Sequence, residues 1–483
     1  MSPSDWITRG VSLWRPSFEK TGPGGTPEMA IDKASAGGKP AERPRIAAEP
    51  AKAGAVPPAV QASRSTRERL QATLRRGQEA LSPRVLRRTL AEMQAIVDQR
   101  ASEVEGSRRA RSFAEWYAGA GPEERRDAWL LVSEQFGPDP KKIKAAREHY
   151  EAAQGTAEEG AAEIRLRRTL VSPRMRLLQR FAAFPEGMRF LVDLRAELLP
   201  HLKSDKRLIP LDAELETLFS TWFDVAFLEL RRLSWDSPAS LLEKLIKYEA
   251  VHDIRSWSDL KNRLDSDRRC YGFFHPRLDG EPLIFVEVAL TDGISDCITP
   301  LLDETAAAAD LSKATTAIFY SISNCQVGLR GVSFGDSLIK RVVETLKEEF
   351  PKLRTFATLS PIPGFRGWLA KQLPAEKLAT WDKPLALAPK SPERQELLSW
   401  AARYLGKEMQ DGKPVDPVAR FHLGNGARVE RINWAGDPSA KGLKQSFGLM
   451  VNYLYDPRRL DKHRTMLSQG EIPIAGAIGD LYR

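Results

Sequence analysis

Cysteine is scarce. The 483 residues hold three, Cys270, Cys297 and Cys325, and no two stand in CxxC spacing. A zinc ribbon or dithiol redox site is therefore not expected, and so small and odd a number does not build the disulfide framework of a secreted domain. Histidine is nearly as rare: the six are scattered, with no HxxxH pair for one helix face, so no metal site is expected. No apolar run reaches the roughly 18 residues of a membrane-spanning helix. The opening MSPSDWITRGVSLWRPSFEK lacks the apolar stretch of a secretory signal, and the closing GDLYR is not a Ser-Lys-Leu tail. A cytoplasmic location without a membrane partner is the expectation. The 73 basic residues outnumber the 64 acidic ones, for a net charge of +9. That excess suits an anionic partner but does not by itself choose among nucleic acid, an acidic membrane and a phosphorylated small molecule. The basic residues are interspersed with acids rather than gathered in a stripe, which argues against nucleic acid.

At roughly 150 residues per domain the length suggests two or three units. Residues 1–66 open with an arm rich in Ala, Pro and Gly over about 21–65 (TGPGGTPEMA…AGAVPPAVQAS). It holds too little large apolar surface to offset its ordering entropy and is expected to be disordered. From 67 to 223 the pattern is helical. Ser82-Pro83 and Ser172-Pro173 are start signals, with Ser as N-cap and Pro in the first turn. Val85, Leu86, Leu90, Met93 and Val97 then recur at helical spacing, as do Met175, Leu177, Leu178 and Phe181. Further helices are predicted near 122–136, 140–154 and 186–203, with Arg and Glu on the outer faces of a bundle.

The character changes over 224–483. PLIFVEVAL at 282–290 and TTAIFYSIS at 315–323 read as buried strands, followed by a helix over 336–350 and a strand over 353–359. Helices near 364–372 and 392–405 precede two more strands, 427–434 and 448–455. Alternation of this kind predicts a mixed α/β sheet.

One local feature is informative: strand, Gly-rich turn, helix, in FYSISNCQVGLRGVSFGDSLIKRVVETL. Gly328, Gly331 and Gly335 let backbone approach a ligand, and the helix start at Asp336 offers unpaired N–H groups to an anion. Arg330 adds donors. There is no GK[ST] and no GxGxxG here. RGVSFGDSL at 330–338 is similar to the pyrophosphate loop R-G-x-G-x-G-x-x-L of the Gcn5-related acetyltransferase superfamily, with Ser333 where Gly is usual. From the loop alone, a plain strand-to-helix turn fits equally well.

Four longer segments extend the likeness: AIFYSIS at 317–323, LRGVSFGDSLIKRVVETLKEEFP at 329–351, LSPIPGF at 359–365 and FHLGNGARVERINWAGD at 421–437. In this order and spacing they resemble the malonyl-CoA decarboxylase family. RRCYGFFHP at 268–276, NYLY at 452–455 and the stretch 235–257 continue it. The resemblance covers nearly all of 224–483, and the helical part more loosely. It implies an all-α N-terminal domain used for self-association, followed by a catalytic α/β domain of the acetyltransferase type, an α+β chain overall. It implies malonyl-CoA and acetyl-CoA as ligands, with neither biotin nor a metal as cofactor. The family's active-site Ser in LSPIPGF falls on Ser360, and the His that opens HLxNGA falls on His422. Its CoA loop falls on Arg330, Gly331, Val332, Ser333, Phe334, Gly335 and Asp336, and a supporting Ser and Tyr fall on Ser321 and Tyr455.

Decarboxylation of a malonyl thioester requires a carboxylate whose C–C bond stands perpendicular to the thioester plane, a stabilised enolate and a proton for C2. Pro361 and Pro363 would fix the Ser360 hydroxyl at a strand-to-helix turn. His422 is expected on a tight loop before a strand, and Asp437 is a candidate partner for it. Which of Ser360 and His422 delivers the proton stays open. A Gcn5-type acyltransferase is the alternative activity.

Overall fold

The computed structural model describes residues 81–98, 100–332 and 338–482. The arm expected to be disordered lies outside them, as do Ser333, Phe334, Gly335 and Asp336 of the glycine-rich turn. Short polar caps start several helices of the first region. Ser82 and Ser102 accept from the backbone N–H of Val85 and Glu105, opening α1 (Pro83–Val97) and α2 (Glu103–Gly119). Asp139 caps α4 (Pro140–Ala153) and Ser172 caps α6 (Pro173–Ala183). Each such cap is worth about 1 kcal/mol. Between and after them run α3 (Pro122–Gln135), α5 (Glu159–Leu170), α7 (Gly187–Leu198) and α8 (Ile209–Trp222).

The predicted helices at 122–136, 140–154 and 186–203 correspond to α3, α4 and α7, the last continued by a single tighter turn at Leu199–His201. The sequence pattern did not single out α2. Its buried residues are Gly106, Ala110, Phe113 and Tyr117, so small side chains weaken the apolar stripe that would mark it.

Beyond residue 224 the chain forms a mixed sheet. β1 (Glu229–Leu233), β2 (Arg268–Phe274), β3 (Pro282–Thr291) and β4 (Thr316–Asn324) pair antiparallel in that order. Helices α9 (Ala239–Tyr248) and α10 (Trp257–Arg263) lie in sequence between β1 and β2. Every residue of β2 is buried, as is nearly all of β3, which explains the apolar run of β3. After β4 the chain turns and enters α11 (Leu338–Glu349), then returns as β5 (Thr355–Thr358), parallel to β4. β6 (Ser360–Pro361) follows directly.

Helix α12 (Pro392–Gly406) leads to a small hairpin of β7 (Met409–Gln410) and β8 (Lys413–Pro414). Helix α13 (Pro417–Gly424) leads to β9 (Arg428–Asn433) and then β10 (Met450–Leu454). β10 pairs antiparallel with β5, β6 and β9. One apolar core joins the helices to the sheet: Leu191 and Val192 of α7 belong with Leu329, Val332, Phe356 and Tyr453.

Candidate active site

The sheet parts at one point. The register of β4 and β5 runs from Thr316 opposite Thr355 to Phe319 opposite Thr358. The N–H of Leu359 then donates to the carbonyl of Phe319 at 3.0 Å. Past that bond β4 continues beside β3, while Ser360 and Pro361 pair with Val451 and Met450 of β10. At the same level β4 carries a bulge. Ser321 faces Glu287 and Phe319 faces Val288, so Tyr320 is the extra residue. Bulges break pairing and re-aim side chains where they occur. Ser360 is thus the first residue beyond the parting.

Four hydrogen bonds organise the groups around Ser360. Its hydroxyl donates to Thr358 Oγ1 at 2.8 Å, and Thr358 Oγ1 also accepts from the N–H of Tyr453 at 3.1 Å. Nε2 of His422 lies 3.2 Å from Ser360 Oγ, and Nδ1 lies 2.8 Å from the Tyr455 hydroxyl. The ring of Tyr453 stacks on the imidazole, centroids 4.7 Å apart and planes 26° apart. Tyr453 lies in β10 and Tyr455 follows directly after it, so one stretch of chain supplies the ring's stacking partner and its hydrogen-bond partner.

A neutral imidazole has one N–H. Since the Ser360 proton points to Thr358, one assignment uses every donor: Tyr455 O–H to Nδ1, and Nε2–H to Ser360 Oγ. Burial pushes the His422 imidazole down to about 3, and it pushes the Tyr455 phenol up. Both groups are therefore neutral at physiological pH.

His422 sits in the last turn of helix α13, not on the tight loop expected. The Gly424-Asn425-Gly426 turn comes immediately after it; Gly426 adopts φ 86°, and a side chain there would meet the Leu460 carbonyl. Asp416 fixes the start of α13, its Oδ1 accepting from the N–H groups of Val418 and Ala419 at 2.9 Å. Its other oxygen takes the Tyr404 hydroxyl at 3.3 Å. Gly364, in the turn after Ser360, lies so close to Tyr404 that a Cβ there would stand 2.4 Å from the hydroxyl oxygen. The PIPG turn and the helix carrying His422 therefore meet through Tyr404 and Asp416.

Asp437 is not the partner of His422. It accepts from the N–H of Ser439 at 3.0 Å and packs against Gly442, and its charge is felt by His252, whose imidazole burial holds down to about 4 while Asp437 offsets part of that fall. Its turn role before Pro438 determined its place. Tyr455 stands where Asp437 was expected. The resemblance named Tyr455 as a supporting Tyr, but no spacing rule tied it to His422, since the end of β10 and helix α13 meet only in the folded chain.

Ser321 lies on the other side of the parting and is tied elsewhere. Its hydroxyl is 2.8 Å from both carboxylate oxygens of Glu249, which also accepts from Ser323 Oγ at 3.0 Å and from the N–H groups of Val251 and His252. Nothing in the sequence pattern marked Glu249; it follows α9 directly and is buried. Of the glycine-rich turn, Arg330 and Gly331 are exposed, Val332 is buried and Gly331 has φ 83°. Among the described residues no group of three or more His, Cys, Asp or Glu is placed to hold a metal, and no helix is long and apolar enough to cross a membrane.

Residues 226–483 match the family model of the malonyl-CoA decarboxylase C-terminal domain, and residues 136–223 match that of its N-terminal domain. The chain belongs to the malonyl-CoA decarboxylase family. The matches are to a family of carboxy-lyases rather than to an acyltransferase family. The chain is 38% identical over 402 residues to the mitochondrial malonyl-CoA decarboxylase of Anser anser anser, covering 72% of this chain and 78% of that one. It is 37% identical over 393 residues to that of Rattus norvegicus, covering 71% and 78%. Among solved structures, malonyl-CoA decarboxylase from Rhodopseudomonas palustris matches at TM-score 0.74 and 42% identity, over 82% of this chain and 99% of that one. The enzyme from Agrobacterium vitis matches at TM-score 0.74 and 40% identity, over 82% and 100%.

Proposed function

We propose that this chain converts malonyl-CoA to acetyl-CoA and carbon dioxide, and that Ser360, His422 and Tyr455 carry the proton that the reaction consumes. The observation behind this reading is the 3.2 Å approach of His422 Nε2 to Ser360 Oγ just beyond the end of the β4–β5 pairing. The C–C bond to the malonyl carboxylate breaks, carbon dioxide leaves, and the electron pair passes into the thioester as an enolate. The Ser360 hydroxyl gives its proton to C2, His422 Nε2–H refills Ser360, and the Tyr455 hydroxyl refills Nδ1. After release the phenolate takes back the Nδ1 proton and a proton from solvent returns to Nε2, restoring the starting tautomer. Each transfer runs from a weaker base to a stronger one, because a thioester enolate is far more basic than a phenolate. A neutral imidazole suits this relay, since it passes one proton without ever carrying a charge in a dry site.

The CoA moiety would lie along the turn at 330–332, where Gly331 admits close backbone approach and Arg330 is exposed to pair with phosphate. The test is product analysis of the purified chain incubated with malonyl-CoA and no acceptor. Release of carbon dioxide and acetyl-CoA, with solvent deuterium at C2, is expected. A chain that leaves malonyl-CoA intact until an amine is added is an acyltransferase and not this enzyme.

A further inference from the structure

The turn that leads from β4 toward the glycine-rich loop is gripped by one face of α7, a helix of the N-terminal region. Arg189, Val192 and Arg195 are spaced three apart and meet the turn at every second residue. Arg189 Nη1 donates to the Gln326 side-chain oxygen at 2.8 Å. The Val192 carbonyl lies where a Cβ on Gly328 would be 1.9 Å away, so only glycine fits there. Arg195 Nη1 donates to the carbonyls of Gly328 at 2.8 Å and Arg330 at 2.9 Å. Arg195 is 2% exposed, and its Nε pairs with Asp212 of α8 at 2.7 Å.

We infer that Arg195 is a positioning residue for coenzyme A, acting through the backbone of the loop without touching the ligand. In a trans peptide the C=O and the following N–H point in opposite directions. Holding the Arg330 carbonyl on Arg195 therefore aims the Gly331 N–H away from the helices. Asp212 balances the guanidinium charge, so the effect is one of direction rather than long-range attraction of phosphate. A lysine has a single nitrogen, whereas the guanidinium holds Asp212 with Nε and both carbonyls with Nη1 at once, so Arg195→Lys cannot keep all three contacts.

This inference rests on the reading that residues 330–332 bind the CoA pyrophosphate. The experiment uses the full chain and two substrates, malonyl-CoA and malonyl-N-acetylcysteamine, which lacks the pyrophosphate. Arg195→Lys is expected to raise KM for malonyl-CoA roughly 10-fold or more, the scale of one lost charge-assisted hydrogen bond, with kcat within about threefold. KM for the short substrate is expected to stay at the wild-type value. Should Arg195→Lys fail to fold, Arg189→Met at the half-exposed end of the same face is expected to give the same selective KM change at smaller size. An unchanged KM for malonyl-CoA in the folded variant, or an equal loss on both substrates, overturns the role of Arg195. Arg330→Ala separates the two claims. If it leaves KM for malonyl-CoA unchanged, the loop reading fails; if it raises that KM while Arg195→Lys does not, only the positioning role fails.

Discussion

The hydroxyl of Tyr455 stands 2.8 Å from Nδ1 of His422, on the side of the ring opposite Ser360. A phenol in that place fixes the tautomer without adding charge, whereas a carboxylate would favour an imidazolium. Tyr455→Phe is expected to lower kcat by roughly 10- to 100-fold and leave KM for malonyl-CoA nearly unchanged. Ser360→Ala and His422→Asn are each expected to lower kcat at least ~100-fold, the scale of one lost acid–base group. Binding of acetyl-CoA, followed by calorimetry, should survive in all three. Near-normal turnover by both Ser360→Ala and His422→Asn would remove the relay.

Burial holds the His422 imidazole at about 3, against an ordinary value of 6.5. Between those values the unfolded chain binds a proton that the native state refuses. This contribution to stability is complete above pH 6.5 and is lost as pH falls toward 3. Denaturant unfolding of wild type and His422→Asn from pH 7 to pH 4 should show the wild type losing more stability. The same neutrality predicts that kcat shows no inflection from this histidine between pH 5 and 8. A clear limb there that vanishes in His422→Asn would contradict the assignment.

Glu287 acts in the opposite direction. Burial and the nearby Glu249 push its carboxyl up to about 8, above the ordinary 4.5, against the opposing pull of the Arg263 guanidinium, whose Nη1 donates to its Oε2 at 3.2 Å. The native state then keeps a proton that the unfolded chain has released, so the contribution is full below pH 4.5 and is lost as pH rises through 8. Glu287→Gln is expected to be near wild type at pH 5 and the more stable of the two at pH 9. Among the described residues its Oε1 has no hydrogen-bond partner, which a neutral group tolerates better than an anion. Unfolding curves at the two pH values check this.

Gly364→Ala is expected to lower kcat, because the added Cβ would press on the Tyr404 hydroxyl and, through Asp416, shift the helix that holds His422. Tyr404→Phe removes the clashing atom. The double variant should therefore recover part of the activity lost in Gly364→Ala. Strict additivity of the two changes in a double-mutant cycle would show that no such coupling exists.

Much of this was legible in the sequence. Strong periodicity and Ser-Pro starts marked α1, α3, α4, α6 and α7, and β-branched runs marked β3 and β4. Ser360 and His422 came from the resemblance of their flanking motifs, and the structure brings them within 3.2 Å. What was hidden depended on long-range pairing. Thr358 and Tyr453 look like ordinary strand residues until β5 and β10 lie side by side. Glu249 and Asp416 are carboxylates in unremarkable local sequence whose roles appear only when buried against distant partners. The α7 face that meets residues 326–330 reads in one dimension as plain core and surface positions.

The apolar core takes no notice of where the helices end and the sheet begins, since Leu191 and Val192 share it with Leu329 and Val332. The C-terminal half is thus not a portable cassette. Produced from residue 226 onward it would bare the underside of the turn at 328–332 to water, and the intact enzyme should melt in one step rather than two.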